Sequence, residues 1–466
     1  MSKTKYIVGA AILMALGATP FVVSQKVNAL IEATSASLEQ HGIQHITLSK
    51  EGYFSTRQTF AVDIVDAQKA FHLLSTKIGE KNAHYKPLIE SIEQEVHQDL
   101  TLLNGLGLKG ELTYSNLLPR SADVSLCFNT LPPALKEYAR VVPFFEKGIV
   151  CFDMRVGSDQ ILKEIKLRDF SGRAKLGGEV SDIDDKEKEL LLDLDMKGHK
   201  LSLNSEKETL QGILSIAEQS IKSAGDAPVG IDSVLNDFVY RFDYKDDFNN
   251  KGDLTLGSYA LSLRDGENDF NMTLGKVIAN NSVETLQKEL SAKANYRFDG
   301  ITVMDGWNSA KVEQLGLTLF LRGLEVATVK KLQTDYNALV LGTEVITDQM
   351  LVDDFLALIH HGLKLDMGMK VKGLQFDMLS LKDSGMDVSF EIAKNTFSDQ
   401  QNPLALIGLL DVNAKVRMHK NDRALFEALG ITAAEDFALG KAEEDFFVYD
   451  ISMKKGVISV NGKVIQ

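Results

Sequence analysis

The sequence predicts an α+β protein dominated by strands: long, curved antiparallel sheet with a few packed helices, preceded by one N-terminal transmembrane helix. Three observations lead there. Beyond residue 40, apolar and polar residues alternate with period two in stretch after stretch, as half-buried strands do. Short polar links join many of those stretches, as hairpins require. Residues Tyr6 to Val23 (YIVGAAILMALGATPFVV) form 18 positions without a charge.

At ~1.5 Å per residue, that run makes a helix about 27 Å long, enough for a bilayer core. Lys3 and Lys5 precede it, and the positive-inside rule keeps them in the cytoplasm. The rest of the chain then lies across the membrane. The run reads either as an uncleaved anchor or as a signal peptide cut after Val27-Asn28-Ala29. The anchor is preferred because the run exceeds the roughly 7–15 residues of a signal core. Val27, Leu30, Ile31, Thr34 and Leu38 also carry a helical stripe beyond it. Pro20 is placed to kink the helix. The expected organisation is an anchor over 1–25, a β-rich lobe with helices over 26–225, and a second over 226–466. The loop-like Ser223 to Pro228 (SAGDAP) marks the boundary.

Strands are expected in turn around Phe60–Ile64, Leu112–Ser115, Val150–Val156 and Ile165–Phe170. Leu190–Leu203, interrupted at Gly198, follows, then Phe238–Tyr244, Leu254–Leu263 and Ala294–Val303. The last are Leu363–Leu379, Met386–Ile392 and Val412–Met418. Asp265-Gly266-Glu267-Asn268 and Lys382-Asp383-Ser384-Gly385 read as turns, and Gly252 and Gly257 as turn residues. Helical spacing appears over His72–Ile78, Ser91–Leu103, Glu206–Ala224 (through Leu210, Ile213, Leu214, Ala217 and Ile221), Asp348–His361 and Arg423–Ala438. Strands and helices do not alternate regularly, which disfavours a parallel β/α fold.

The 466 residues are 44% hydrophobic and 25% charged, as in a folded globular chain rather than a disordered one. Acidic residues outnumber basic ones, 65 to 51, for a net charge of -14. That balance repels phosphate backbones, so no nucleic-acid partner is expected. Two cysteines, Cys127 and Cys151, sit in similar settings, Leu-Cys-Phe and Val-Cys-Phe. Outside the cytoplasm they are a disulfide candidate; the alternative is two buried thiols on neighbouring strands. No CxxC or Cys/His spacing points to a metal, and no cofactor is expected.

Titratable residues give little chemistry. His41 and His45 are four apart, but strand-like residues begin near Ile43 and spoil a shared helical face. On the helix expected at 348–361, Asp353 with His360, and Asp354 with His361, share a face. A metal site there would need further ligands, and histidines at a helix C-terminus also suit its dipole. Asp182, Asp184 and Asp185 begin an acidic run in which Lys186 and Glu187 occupy positions that a calcium loop cannot give them. Neither a G-x-S-x-G elbow nor a glycine-rich phosphate loop is present. Trp307 reads as a staple at a helix start or as a partner anchor. No catalytic residue is assigned.

Near the start stands Lys50-Glu51-Gly52-Tyr53-Phe54-Ser55-Thr56, followed by an alternating strand. At the end stands Tyr449-Asp450-Ile451-Ser452-Met453-Lys454-Lys455-Gly456-Val457-Ile458-Ser459-Val460-Asn461-Gly462-Lys463. With the N-terminal run and the β-rich remainder, the chain resembles the YdgA-like family of bacterial envelope proteins. The resemblance implies a single-pass inner-membrane protein with its body in the periplasm and no transferred catalytic residue. The residues themselves assign turns to Gly52 and Gly456 and a type I′ or terminal turn to Asn461-Gly462. The expected role is therefore a non-enzymatic one of binding or envelope maintenance, with a lipid or envelope-protein ligand. A scaffold with a filled core is the alternative, and a hydrolase a more distant one.

Overall fold

The computed structural model describes residues 38–51, 55–81, 100–115, 121–133, 148–157, 162–176, 190–206, 209–224, 229–265, 269–306, 308–341, 347–376, 379–397, 407–423 and 439–465. The run at 6–23, Gly52, the acidic residues 182–185, Trp307, and most of the helices expected over Ser91–Leu103 and Arg423–Ala438 lie outside them; of the former, Leu100–Leu103 forms a short 3-10 turn. Among the described residues no helix is long and apolar enough to cross a membrane. The chain divides into two units: Met1–Val239 with Leu263–Gly266, and Tyr240–Ser262 with Glu267–Gln466.

In the first unit, β1 (Ile43–Glu51), β2 (Ser55–Ile64), β3 (Leu106–Ser115), β4 (Ser121–Thr130) and β5 (Cys151–Gly157) form an antiparallel meander in chain order. β6 (Leu162–Leu167) follows β5, and β7 (Phe170–Leu176) pairs with β8 (Leu190–Lys197). β9 (Lys200–Glu206) joins β6 to β10 (Thr209–Ser223). Alternation does what it should. Thr56, Gln58, Phe60, Val62 and Ile64 of β2 are buried, while the residues between them are at least partly exposed. Facing them, α1 (Ala67–Lys81) contributes Ala67, Ala70 and Phe71 to one apolar core with Leu106, Leu112, Val124 and Met154. The helix starts where it does because Asp66 Oδ1 accepts from the Lys69 N–H (3.1 Å) and Asn104 Oδ1 from that of Ala67 (2.8 Å). At Gly110 a Cβ would lie 2.3 Å from the Phe60 ring, so the ring packs on bare backbone. Each fully buried Leu or Phe here contributes roughly 1.5–3 kcal/mol.

β10 corrects the helix expected over Glu206–Ala224. That helix would bury Ile213 and Ala217, yet Ile213 is 43% exposed and Ala217 exposed, while Gly212 and Ser220 are buried. Cross-strand pairing to β9 and then β8 along 15 residues overrides the 3.6-residue spacing. Gly212 and three isoleucines weaken the competing helix.

β11 (Val229–Asp246) and β13 (Ser258–Asp265) carry residues of both units. The second unit continues with β12 (Asn249–Leu256), β14 (Asp269–Leu274), β15 (Val277–Leu286), β16 (Glu289–Asp305) and β17 (Asn308–Glu325). After two helices come β18 (Leu363–Phe376), β19 (Leu379–Ile392), β20 (Leu410–His419), β21 (Lys441–Glu443), β22 (Phe446–Lys454), β23 (Val457–Val460) and β24 (Lys463–Val464). The antiparallel order is β12-β15-β16-β17-β18-β19-β20-β22-β23-β24, with β14 beside the end of β16 and β21 beside β22. Gly252 lies inside β12 rather than at a turn, whereas Gly257 separates β12 from β13. Two-residue turns close the C-terminal hairpins. Lys455-Gly456 (φ 51° and 80°) and Asn461-Gly462 (φ 49° and 80°) have the positive φ pair of a type I′ turn. Asn461 also binds its surroundings: its Oδ1 accepts from the Asp450 N–H (2.9 Å) and its Nδ2 donates to the Leu439 carbonyl (2.6 Å).

The turn expected at Lys382–Gly385 is instead the interior of β19. Its polarity is satisfied from outside. Asp422 is 1% exposed and accepts from the Lys382 N–H (2.8 Å) and the Ser384 hydroxyl (3.0 Å). The helix α2 (Val326–Leu341) has no sequence forecast, because its β-branched start breaks the stripe. α3 (Asp348–His360) coincides with the expected one and is capped by Thr347, whose hydroxyl accepts from the Met350 N–H. Replacing Asp422 by Ala strands the buried Ser384 hydroxyl and removes the acceptor of the Lys382 N–H, so Asp422→Ala should destabilise the second unit by roughly 1–3 kcal/mol. Urea unfolding followed by fluorescence measures this; a loss within error of zero contradicts the assigned role.

Candidate functional site

The residues singled out by sequence fall in separate places. Cys127 and Cys151 are direct cross-strand neighbours on β4 and β5, joined by a disulfide with Cα atoms 4.0 Å apart. They share the outer face with ion pairs of Asp123 with Arg155 (2.9 Å) and Asp153 with Arg168 (2.7 Å). His45 lies in β1 against Phe60, ring centroids 5.6 Å apart, and burial lowers its pKa.

The Asp/His set on α3 is not brought together. Asp353 accepts from Gln349 (3.0 Å), and Asp354, 4% exposed, takes the ammonium of Lys331 from α2. Lys331 also meets Asp335 (2.9 Å), and the two carboxylates, Asp354 first, raise its pKa. His360 Nε2 is bound to the Phe397 carbonyl, while His361 Nε2 lies 3.0 Å from Glu325. Each group holds the helix pair or its ends in place. No cluster of three or more metal-binding side chains exists among the described residues.

What the second unit does assemble is a two-faced sheet. Register puts Tyr296 opposite Leu317, Leu317 opposite Met369, and Met369 opposite Met386. The next row of the same face runs Ala294, Leu319, Met367, Val388, Ala414, Ile451, and a third runs Leu321, Leu365, Phe390, Val412, Met453. One face is therefore apolar across β16–β20 and β22. It is also open: Tyr296, Leu319, Met367, Met369 and Met386 are each 38–41% exposed. Among the described residues the buried apolar cluster of this unit is small, formed by Met418, Tyr449 and Val460 with Val416, Leu439, Phe447 and Ile451 against it.

The opposite face is polar. One register row reads Asp253, Asn280, Asn295, Thr318, Gly368, Asp387, Lys415, Asp450 across eight strands. Over it lies a hollow of about 680 Å³, adjoined by one of about 370 Å³. On its margin Arg322 meets Asp366 at 2.9 Å. The Ser389 hydroxyl, then Arg322, holds the Asp366 carboxyl below the usual carboxylate range.

Compared with protein-family models, with curated proteins and with solved structures, the chain has no match. The fold and this sheet define a β-dominated antiparallel protein with few helices and an open, two-faced sheet in its second unit.

The strands that carry the apolar face are legible in the alternation of LKLDMGMKVKGLQFDML; its exposure is not. Met367 and Met369, both apolar between Asp366, Gly368 and Lys370, are the one signal that marked the face.

Two outcomes follow. The double substitution Cys127→Ser with Cys151→Ser opens a loop of sequence separation 24. The chain-entropy relation then gives a loss of about 3 kcal/mol, read as a shift in urea midpoint; no shift contradicts a structural bridge. Asp366, depressed below its ordinary 3.8, contributes stability fully above pH 3.8 that is lost as pH falls through the lower folded value. Carboxyl NMR of Ser389→Ala should show Asp366 titrating closer to 3.8; an unmoved titration rejects the cause.

Proposed function

We propose that this is a membrane-tethered, non-catalytic binding protein whose second unit holds lipid acyl chains on its apolar sheet face. The observation that carries this is the contiguous row set around Leu319, Met367, Met369 and Met386, large apolar side chains about 40% exposed. Exposed contiguous apolar surface marks an interaction site. Covering the exposed remainder would contribute roughly 1 kcal/mol per side chain, several in all. Methionine suits an irregular, mobile occupant, because its unbranched thioether side chain adapts to shape. A lipid source is expected nearby, since the uncharged run at 6–23 reads as an inner-membrane anchor with the body in the periplasm. The resemblance to the YdgA-like envelope family supports the same placement. In the scaffolding alternative, the same face takes an envelope protein.

The test compares the full chain with its Met369→Asp/Met386→Asp variant, both purified from membranes and extracted for phospholipid. The substituted positions are exposed, and circular dichroism checks that the sheet survives. Lipid per chain should fall several-fold in the variant while lipid around the anchor is common to both. Equal lipid in the two proteins, or photo-crosslinking at Leu319 that captures protein and no lipid, rejects the lipid reading.

A further inference from the structure

We propose that the polar face of the second unit's sheet is a binding trough for an uncharged oligosaccharide lying across the strands. This site is on the opposite face from the acyl-chain surface and is independent of it.

The hollows of about 680 and about 370 Å³ share Asn295, Thr318 and Asp387 in their linings, so they form one elongated depression. From Asn295 to Asp450 the row crosses six strands, which at ~4.8 Å per strand is about 24 Å. The long axis runs across the strands, not along one.

At the start of the row Asn280 Nδ2 donates to Asp253 Oδ1 (2.5 Å), but from Asn295 to Asp450 the polar side chains have no partner among the described residues. Directly opposed residues of opposite charge ordinarily pair across strands. Neighbouring positions do so: Lys364 with Glu391 directly opposite (3.2 Å), and Arg322 with Asp366 on the diagonal (2.9 Å). Asp387 and Lys415 face one another in register, as do Lys415 and Asp450, yet none of these pairs forms an ion pair within 4.0 Å. The side chains of Asn295, Thr318, Asp387, Lys415 and Asp450 make no hydrogen bond or ion pair among the described residues. Donors and acceptors thus lie along one line without a side-chain partner among the described residues.

The floor of the depression is bare backbone at Gly368. A Cβ on Gly368 would come 2.5 Å from Thr318 Oγ1 and 2.8 Å from Asp387 Oδ1. Those two groups therefore lean in over bare backbone, and the missing side chain deepens the trough between them.

These features select the ligand. The two hollows are lined by Asp366, Asp387 and Asp450 against Lys293, Arg297, Lys370 and Lys415, which leaves no dominant sign of charge. A polyanion or polycation gains nothing from that balance. Hydroxyl groups both donate and accept, so a polyhydroxylated chain can meet carboxylate, ammonium, amide and hydroxyl in succession. The strand spacing is comparable to the length of one pyranose ring, so successive sugars meet successive strands. An extended peptide satisfies its backbone at a sheet edge, a benefit that crossing a face does not give. Phe320, the ring within the hollow, is already covered by Lys293 (4.8 Å) and Arg322 (4.7 Å). Binding then rests on hydrogen bonds without a stacking platform, and weak affinity, millimolar to high micromolar, is expected.

The experiment titrates the full chain in nanodiscs with cellohexaose, chitohexaose and maltohexaose, with a heparin hexasaccharide and hexalysine as charged probes, by calorimetry or NMR. At least one neutral hexasaccharide should bind. Asp387→Ala and Lys415→Ala, at exposed positions, should each weaken it about tenfold. Met369→Asp, on the other face, should leave it unchanged, so failure here and failure of the acyl-chain reading are seen separately. The proposal is overturned if no neutral hexasaccharide binds, if binding is indifferent to both substitutions, or if a charged probe binds more tightly.

Discussion

The register of the long antiparallel strands in the second unit is the constraint on which the rest depends. Side chains alternate faces with a period of two, so a slip of one residue at a single pair would exchange the faces. The pairing Leu319–Met367–Val388–Ala414–Ile451 and the pairing Thr318–Gly368–Asp387–Lys415–Asp450 are the same register seen from two sides. It separates a nearly continuous apolar surface from a nearly continuous polar one. The C-terminal hairpins help hold it. The two type I′ turns and the Asn461 side chain pin β22 and β23 where β20 can pair with β22.

The two units use the same alternation with opposite results. In the first, the apolar face of β2–β5 meets α1 and the turn at Leu100–Leu103, and residues such as Leu112, Ala122 and Val156 lose all contact with solvent. A filled core follows, and its outer face is laced with ion pairs and the Cys127–Cys151 bridge. In the second, large apolar side chains stay about 40% exposed. A stable fold can leave such area open because strand pairing satisfies the backbone on its own, while side-chain burial remains available to an occupant.

Much of this was legible in the residues. Period-two alternation located β2, β5, β8, β9, β18 and β20, and helical spacing located α1 and α3. Where the reading went wrong, a distant partner was responsible. β10 reads as a helix until β8 and β9 lie beside it. Lys382–Gly385 reads as a turn until Asp422 takes its donors. Asp353, Asp354, His360 and His361 look like a possible constellation until Lys331, Gln349, Glu325 and Phe397 claim them one by one.

By itself the sequence determined that this chain is built of antiparallel strands, where most of them lie, and that two cysteines sit in matching strand-like settings, because alternation, turn residues and spacing are local properties. Only tertiary structure decided which strands are neighbours and in what register. From that came which apolar face is covered, which is open, and which polar side chains line up in one row. Those are properties of pairs far apart in the chain, set by the sum of many cross-strand contacts, and no local pattern encodes them.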